Sequence, residues 1–282
     1  MEVVETKDEM RNIAERAKAA GKVVGVVPTM GYFHEGHREL MRRARAECDV
    51  VVVTLFVNPT QFAPGEDLEA YPRDFERDSR MAQSVGVDYI FAPAVEEMYP
   101  GGATTCIEVE GLSSLMCGCA RPTHFRGVAT VVGKLFNIVP AQKAYFGQKD
   151  AQQLVIIRRM AADLDFPVEV IAVPTAREPD GLAMSSRNAY LEREERDQAV
   201  SLFTALEAAR AMIESGERDA DAVEAAMKQV LADAPLVNLE YIAICDNILL
   251  RPLGELTGEV LIAVAARIGR ARLIDNMIFE IE

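Results

Sequence analysis

Nowhere in the 282 residues does an apolar run approach a membrane span, and nowhere does the phosphate-loop pattern GxxxxGK[ST] occur. The first absence removes a helical membrane anchor from consideration; the second removes the commonest nucleotide cradle. Basic residues are in the minority, 30 Lys and Arg against 44 Asp and Glu, for a formal net charge of -14. A chain of that sign repels a phosphate backbone, so no nucleic-acid partner is expected, although a local basic pocket for a small anion remains compatible. Cysteine is sparse and odd in number, five residues at positions 48, 106, 117, 119 and 245, mostly in apolar runs. This predicts a reducing, cytoplasmic setting without a disulfide framework. The amino terminus lacks a basic stretch leading into an apolar one, so no secretory signal is expected. No GxSxG elbow or Cys–His pair suggests a covalent enzyme intermediate.

What is present is a large apolar fraction, 50% of residues, enough for a sizeable core. Thr6-Lys7-Asp8-Glu9 reads as a capping box opening a helix that Gly21 ends. Strand-like runs at 23–27, 50–55, 88–92, 104–109, 143–146 and 168–173 alternate with helical stretches at 38–47, 74–84, 128–139 and 149–164. The run at 50–55 is nearly all β-branched, the pattern of a strand buried on both faces. This βα alternation predicts a Rossmann-like, doubly wound parallel sheet with ligands at the strands' carboxyl ends. Beyond about Thr175 the texture changes to helices at 192–215 and 220–232, then strands at 237–245 and 260–266. The expected division is a nucleotide-binding domain over 1–175 and a smaller α+β domain over 176–282, hinged in the Pro- and Gly-bearing segment 174–181.

The most informative stretch is Pro28-Thr29-Met30-Gly31-Tyr32-Phe33-His34-Glu35-Gly36-His37, between an apolar strand and a helix. A strand, a glycine-bearing turn and a helix start together present backbone N–H groups to a phosphate. Two of the chain's three histidines flank Gly36 there, where the helix dipole favours a bound anion. Asn58-Pro59-Thr60-Gln61-Phe62 is either a plain turn or a polar small-molecule contact through Gln61. Tyr71-Pro72-Arg73-Asp74 with Asp78 is either a helix start or a source of a carboxylate for Mg²⁺. Arg121 to Gly127 (RPTHFRG) either caps the next helix or faces phosphates or a carboxylate. Cys117-Gly118-Cys119 lacks the second pair that a structural metal site needs. Phe146-Gly147-Gln148-Lys149-Asp150 repeats the strand-Gly-helix device, with Gln153 near the same helix start. Met184-Ser185-Ser186-Arg187-Asn188 is either an exposed cap or an arm that closes on a triphosphate.

Together, PTMGYFHEGH, FVNPTQF, YPRD, RPTHFRGV, FGQKD with Gln152-Gln153, DGLAMSSRN and ARLIDN resemble the pantothenate synthetase (pantoate–β-alanine ligase) family, in its order and spacing from about residue 20 to 276. The resemblance implies an ATP- and Mg²⁺-dependent ligase that joins pantoate to β-alanine through pantoyl adenylate, releasing pyrophosphate and AMP. It implies an ATP site of Met30, Gly31, Tyr32, Phe33, His34, Glu35, Gly36, His37, Gly147, Gln148, Lys149, Asp150, Ala176, Met184, Ser185, Ser186 and Arg187. His37 would be the catalytic proton donor, Gln61 and Gln153 would hold pantoate, and Gln61 would also meet β-alanine. The family's Mg²⁺ ligands are left unassigned, and a cytoplasmic homodimer is implied. Thr123 and Gln148 depart from the family's usual glycine and glutamate. The rival readings are another HxGH nucleotidylyltransferase or a class I aminoacyl-tRNA synthetase, the latter disfavoured by an acidic chain with MSSRN for a lysine loop, and a non-catalytic nucleotide-binding module.

Overall fold

The computed structural model describes residues 1–101 and 103–282. It divides into two compact units, Met1–Gly147 with Ile156–Pro174, and Gln148–Val155 with Thr175–Glu282.

The first unit is built on a six-stranded, all-parallel sheet. Its strands are β1 (Glu2–Val4), β2 (Val24–Thr29), β3 (Val50–Leu55), β4 (Tyr89–Phe91), β5 (Lys143–Gly147) and β6 (Glu169–Val173). They lie in the order β1-β4-β3-β2-β5-β6. Val51, Val52 and Val53 are fully buried, as a central strand covered on both faces requires. Helices α1 (Lys7–Ala19), α2 (Glu35–Glu47), α3 (Phe75–Ser84), α4 (Val95–Met98), α5 (Cys117–Ala120) and α6 (His124–Ile138) lie along this part of the chain. Helix α7 (Ala151–Asp163) begins in the second unit and ends in the first. The strand order reverses between β2 and β5, so their carboxyl ends flank a topological switch point. β2 runs there into the Met30–His37 segment, and β5 ends at Gly147.

The second unit holds α8 (Arg193–Ala199), α9 (Ser201–Glu214) and α10 (Ala220–Ala232) with an antiparallel sheet of β7 (Val237–Asp246), β8 (Gly258–Ile268) and β9 (Ala271–Ile281). Leu206, Val223 and Met227 from the helices pack into one core with Val260, Ile262 and Val264 of β8.

Four local expectations change. Thr6 makes no side-chain cap; instead the Lys7 amide donates to Glu97 Oε1 at 2.8 Å. Residues 104–109 form no strand, because the Ile107 amide is taken by Thr130 Oγ1 at 2.9 Å instead of by a ladder. The single helix expected over 192–215 is two, meeting at Val200. Strands β1 and β9 lie outside the sequence pattern: β1 has only three residues, and β9 buries Asp275 and Asn276 where apolar side chains are expected.

Candidate active site

In the first unit, the chain leaves β2 through two consecutive left-handed residues, Gly31 (φ 88°) and Tyr32 (φ 51°). For tyrosine this conformation is strained, and the neighbouring groups hold it. The Asp78 carboxylate, buried on α3, accepts the Tyr32 and Phe33 amides at 2.6 and 2.7 Å. Arg77 donates to the Phe33 carbonyl at 2.9 Å, and its guanidinium lies 4.9 Å from the Tyr32 ring centroid. Burial pushes the Asp78 carboxyl above its usual range, against the pull of those two amides and of Arg77. Asp78 therefore clamps the loop, and the Mg²⁺-ligand possibility raised by its sequence position does not suit oxygens so engaged. Asp74 caps α3 through the Arg77 amide at 3.0 Å.

That clamped turn delivers His34 and His37 to the start of α2. The Gly36 amide donates to His34 Nδ1 at 3.1 Å, and the His34 amide donates to His37 Nδ1 at 3.3 Å. The rings lie 4.1 Å apart between centroids. A neutral imidazole that accepts at Nδ1 carries its proton on Nε2. Both histidines are thus set as Nε2–H donors at a helix amino terminus, whose dipole favours an anion.

Gln61 lies in a single 3₁₀ turn, Pro59–Gln61, following β3. Its side-chain amide donates to Met30 Sδ at 3.0 Å, a weak acceptor that a ligand oxygen would readily replace, and its Oε1 accepts from Asn58 at 3.1 Å. Asn58, 1% exposed, is the hub that sequence reasoning passes over as a turn residue. It donates to Gln61 Oε1 and the Gly127 carbonyl, both at 3.1 Å, and accepts from Thr60 and from Tyr99 Oη, the latter at 2.8 Å. Arg121 and His124 both reach the Gln61 carbonyl, at 3.3 and 2.9 Å, and Arg121 pairs with Glu66 through two bonds of 2.6 and 2.7 Å. Burial opposes ionisation of Glu66, but the Arg121 hydrogen bond and charge overcome it and hold the carboxyl below its usual range. Of the alternatives for RPTHFRG, these two side chains adopt a third: they brace the Gln61 turn. Thr123 sits at the N-cap of α6 without a side-chain cap bond.

In the second unit, Gln148–Asp150 form a 3₁₀ turn that leads into α7. Burial pulls the Lys149 ammonium below the usual lysine range; Asp150 and Asp275 oppose that shift, whereas Arg187 and Arg272 add to it. The residue as a whole is half-buried. Asn276 donates to the carbonyls of Gln148 and Lys149 and accepts from the Gln148 side chain. The Ala176 carbonyl accepts the Met184 amide at 2.9 Å. Ser185 caps the 3₁₀ turn Ser186–Tyr190 by accepting the Arg187 amide at 3.3 Å. Gln153 is half-buried on α7 and Asp150 is exposed. The structure thus gathers Met30 to His37 with Gln61 in one unit, and Gln148 to Gln153, Ala176 and Met184 to Arg187 in the other. Among the described residues no group of three or more His, Cys, Asp or Glu is arranged to hold a metal ion, and no helix is long and apolar enough to cross a membrane.

A sequence model described as pantoate-beta-alanine ligase matches residues 2–278. The pantothenate synthetase of Moorella thermoacetica is 52% identical over 281 residues, covering 100% of this chain and 99% of that protein. That of Heliobacterium modesticaldum is 54% identical over 281 residues, covering 100% of each. The crystal structure of the Thermus thermophilus pantothenate synthetase superposes with a TM-score of 0.94 at 49% identity, covering 98% of this chain and 99% of that one. The Francisella tularensis pantoate-beta-alanine ligase, complexed with beta-gamma ATP and beta-alanine, superposes at 0.79 with 30% identity, covering 98% and 97%.

Proposed function

The chain belongs to the pantoate–β-alanine ligase family, and on that premise we propose how its own residues join (R)-pantoate to β-alanine at the expense of ATP. The pantoate carboxylate attacks the α-phosphorus of ATP; the α–β anhydride bond breaks and its electron pair leaves with pyrophosphate. The β-alanine amine then attacks the acyl carbon of pantoyl adenylate, loses a proton, and AMP departs. Adenylation brings anions together, so its acceleration comes from alignment and charge neutralisation.

The observation that carries this reading is the reciprocal cap of His34 and His37, which fixes two Nε2–H donors at the α2 amino terminus. His34 contacts phosphate oxygens, and His37 donates an Nε2–H hydrogen bond that strengthens as charge develops on the phosphate. The loop Met30, Gly31, Tyr32, Phe33, Glu35 and Gly36 lines the nucleotide with backbone groups. Lys149 and Arg187 neutralise phosphate charge, Gly147, Gln148 and Asp150 cradle the nucleotide, Ala176 meets adenine, and Met184, Ser185 and Ser186 complete the phosphate contacts. Gln61 exchanges its weak Met30 partner for pantoate and later meets β-alanine; Gln153 holds pantoate as well. Asp78 is committed to backbone amides, so Mg²⁺ would arrive with ATP and would supply charge neutralisation at its phosphates. The sparse free cysteines support a cytoplasmic setting, and membership of the family supports a homodimer. The HxGH nucleotidylyltransferase alternative is not favoured, because the family match spans residues 2–278. A pyrophosphate-release assay with ATP and pantoate, before β-alanine is added, tests the reading. Release that requires pantoate supports it; release that requires a nucleotide acceptor supports the alternative.

A further inference from the structure

The ARLIDN segment on β9 has no part in the reaction as described, yet it carries a buried polar side chain engaged at both ends. Asn276 is 4% exposed. Its Nδ2 donates to two successive carbonyls, Gln148 at 3.0 Å and Lys149 at 2.9 Å, and its Oδ1 accepts from Gln148 Nε2 at 3.3 Å. One amide group thereby holds both peptide planes of the turn from which the Lys149 side chain departs. The amide itself sits on a stiff base. β9 runs antiparallel to β8 with Asp275 opposite Val264 and Asn276 opposite Ala263. The adjacent Asp275 carboxylate, 3% exposed, accepts the Asn276 backbone amide at 2.8 Å and is forked by Arg177 at 2.6 and 3.0 Å. Both ends of the buried Asn276 side chain are engaged, and every bond goes to one turn.

We propose that Asn276 is a positioning residue for the adenylation step: it sets the Gln148–Lys149 turn and so aims the Lys149 ammonium at the phosphates. The proposal rests on the phosphate role given to Lys149. Gln148 can donate to Asn276 Oδ1, a bond that an ionised glutamate at that position could not make. A fixed backbone gives a flexible four-carbon side chain a single point of departure, which reduces the ordering needed when the nucleotide arrives.

The test is a double-mutant cycle on pantoate-dependent pyrophosphate release, with Asn276→Ala, Lys149→Ala and the pair. Asn276→Ala should lower kcat/KM for ATP by roughly 10- to 100-fold, the size of effect that a displacement of about 1 Å produces, and leave KM for β-alanine unchanged. In the Lys149→Ala background the same substitution should cost less than about threefold, since its route of action is already gone. An equal loss in both backgrounds, or no loss from Asn276→Ala where Lys149→Ala is impaired, overturns the proposal. Full activity in Lys149→Ala overturns instead the phosphate role on which it rests. If Asn276→Ala does not fold, Asn276→Asp takes its place in the cycle: the shape is kept, an acceptor replaces the shared donor, and the same two outcomes decide.

Discussion

Replacing Asp78 tests whether the clamped turn, and not the HxGH residues alone, makes the site. The carboxylate is 1% exposed and accepts two amides at 2.6 and 2.7 Å. Hydrogen bonds to a charged group contribute about 1.5–3 kcal/mol each, so the pair supplies about 3–6 kcal/mol before the cost of burying the charge. The upward push on the Asp78 carboxyl shows that this cost is felt, and a net loss of about 2–4 kcal/mol is expected for Asp78→Ala. Asp78→Asn keeps one acceptor and turns an NH₂ toward the other amide, so about half of that loss is expected. A functional loss should accompany the structural one. With Gly31 and Tyr32 both left-handed, a released loop relaxes and carries His34 with it, and a displacement of about 1 Å costs up to about 100-fold in rate. Urea midpoints give the stability and pantoate-dependent pyrophosphate release gives the rate. Asp78→Asn with unchanged turnover would refute the clamp, and rescue of that variant by raised Mg²⁺ would return the carboxylate to cation binding. The pH dependence has a definite sign. A carboxyl whose folded pKa is raised favours the folded state below its unfolded pKa, and that contribution is lost as pH rises through the folded value. Asp78 therefore does not drive acid unfolding, and acid sensitivity that disappears in Asp78→Asn would contradict this assignment.

Three other outcomes follow from the geometry. His37→Ala loses a long cap bond, worth about 0.5–1 kcal/mol, together with ring contacts to Phe33 and His34, but should lower turnover about 10²- to 10⁴-fold; a falling melting temperature with intact turnover would mark the ring as structural. Because burial lowers the Lys149 pKa, its charge is lost as pH rises through a value below the ordinary lysine range, so kcat/KM for ATP should decline early on the alkaline side and that limb should vanish in Lys149→Arg; an identical limb in both proteins contradicts this. In Gly127→Ala the new Cβ would stand 2.5 Å from the Thr60 carbonyl oxygen and 2.6 Å from the Gln61 backbone. Overpacking of about 1–3 kcal/mol outweighs the helix propensity gained, and KM for pantoate should rise as the Gln61 turn shifts; a stabilised variant with unchanged KM would show that this turn does not position pantoate.

The parallel sheet was legible because its signal is local and redundant. Val50 to Val53 read as a strand covered on both faces, and the βα alternation around it fixes the sheet class. The glycine-bearing turn and its two histidines were legible for the same reason, since turn, cap and helix follow one another in the chain. Groups that act through distant backbone were not. Asp78 reads in sequence as one more acidic residue near a helix start, yet its partners lie 45 and 46 residues away. Arg121 and His124 read either as a cap for the next helix or as groups facing phosphates or a carboxylate, but their shared target is a carbonyl 60 and 63 residues earlier. β9 escapes the period-2 pattern because Asp275 and Asn276 occupy buried positions, and only Arg177 and the Gln148–Lys149 turn explain them. The run 104–109 errs the other way: its β-branched residues suit a strand, but the Ile107 amide is satisfied by Thr130.

The central claim is that pantoate is activated through its carboxylate at the α-phosphorus. Turnover of pantoate labelled with ¹⁸O in that carboxylate, followed by mass analysis of the products, tests it most directly. Transfer of one labelled oxygen to AMP, with none in pyrophosphate, is the expected result; label in inorganic phosphate, or AMP without label, would contradict it.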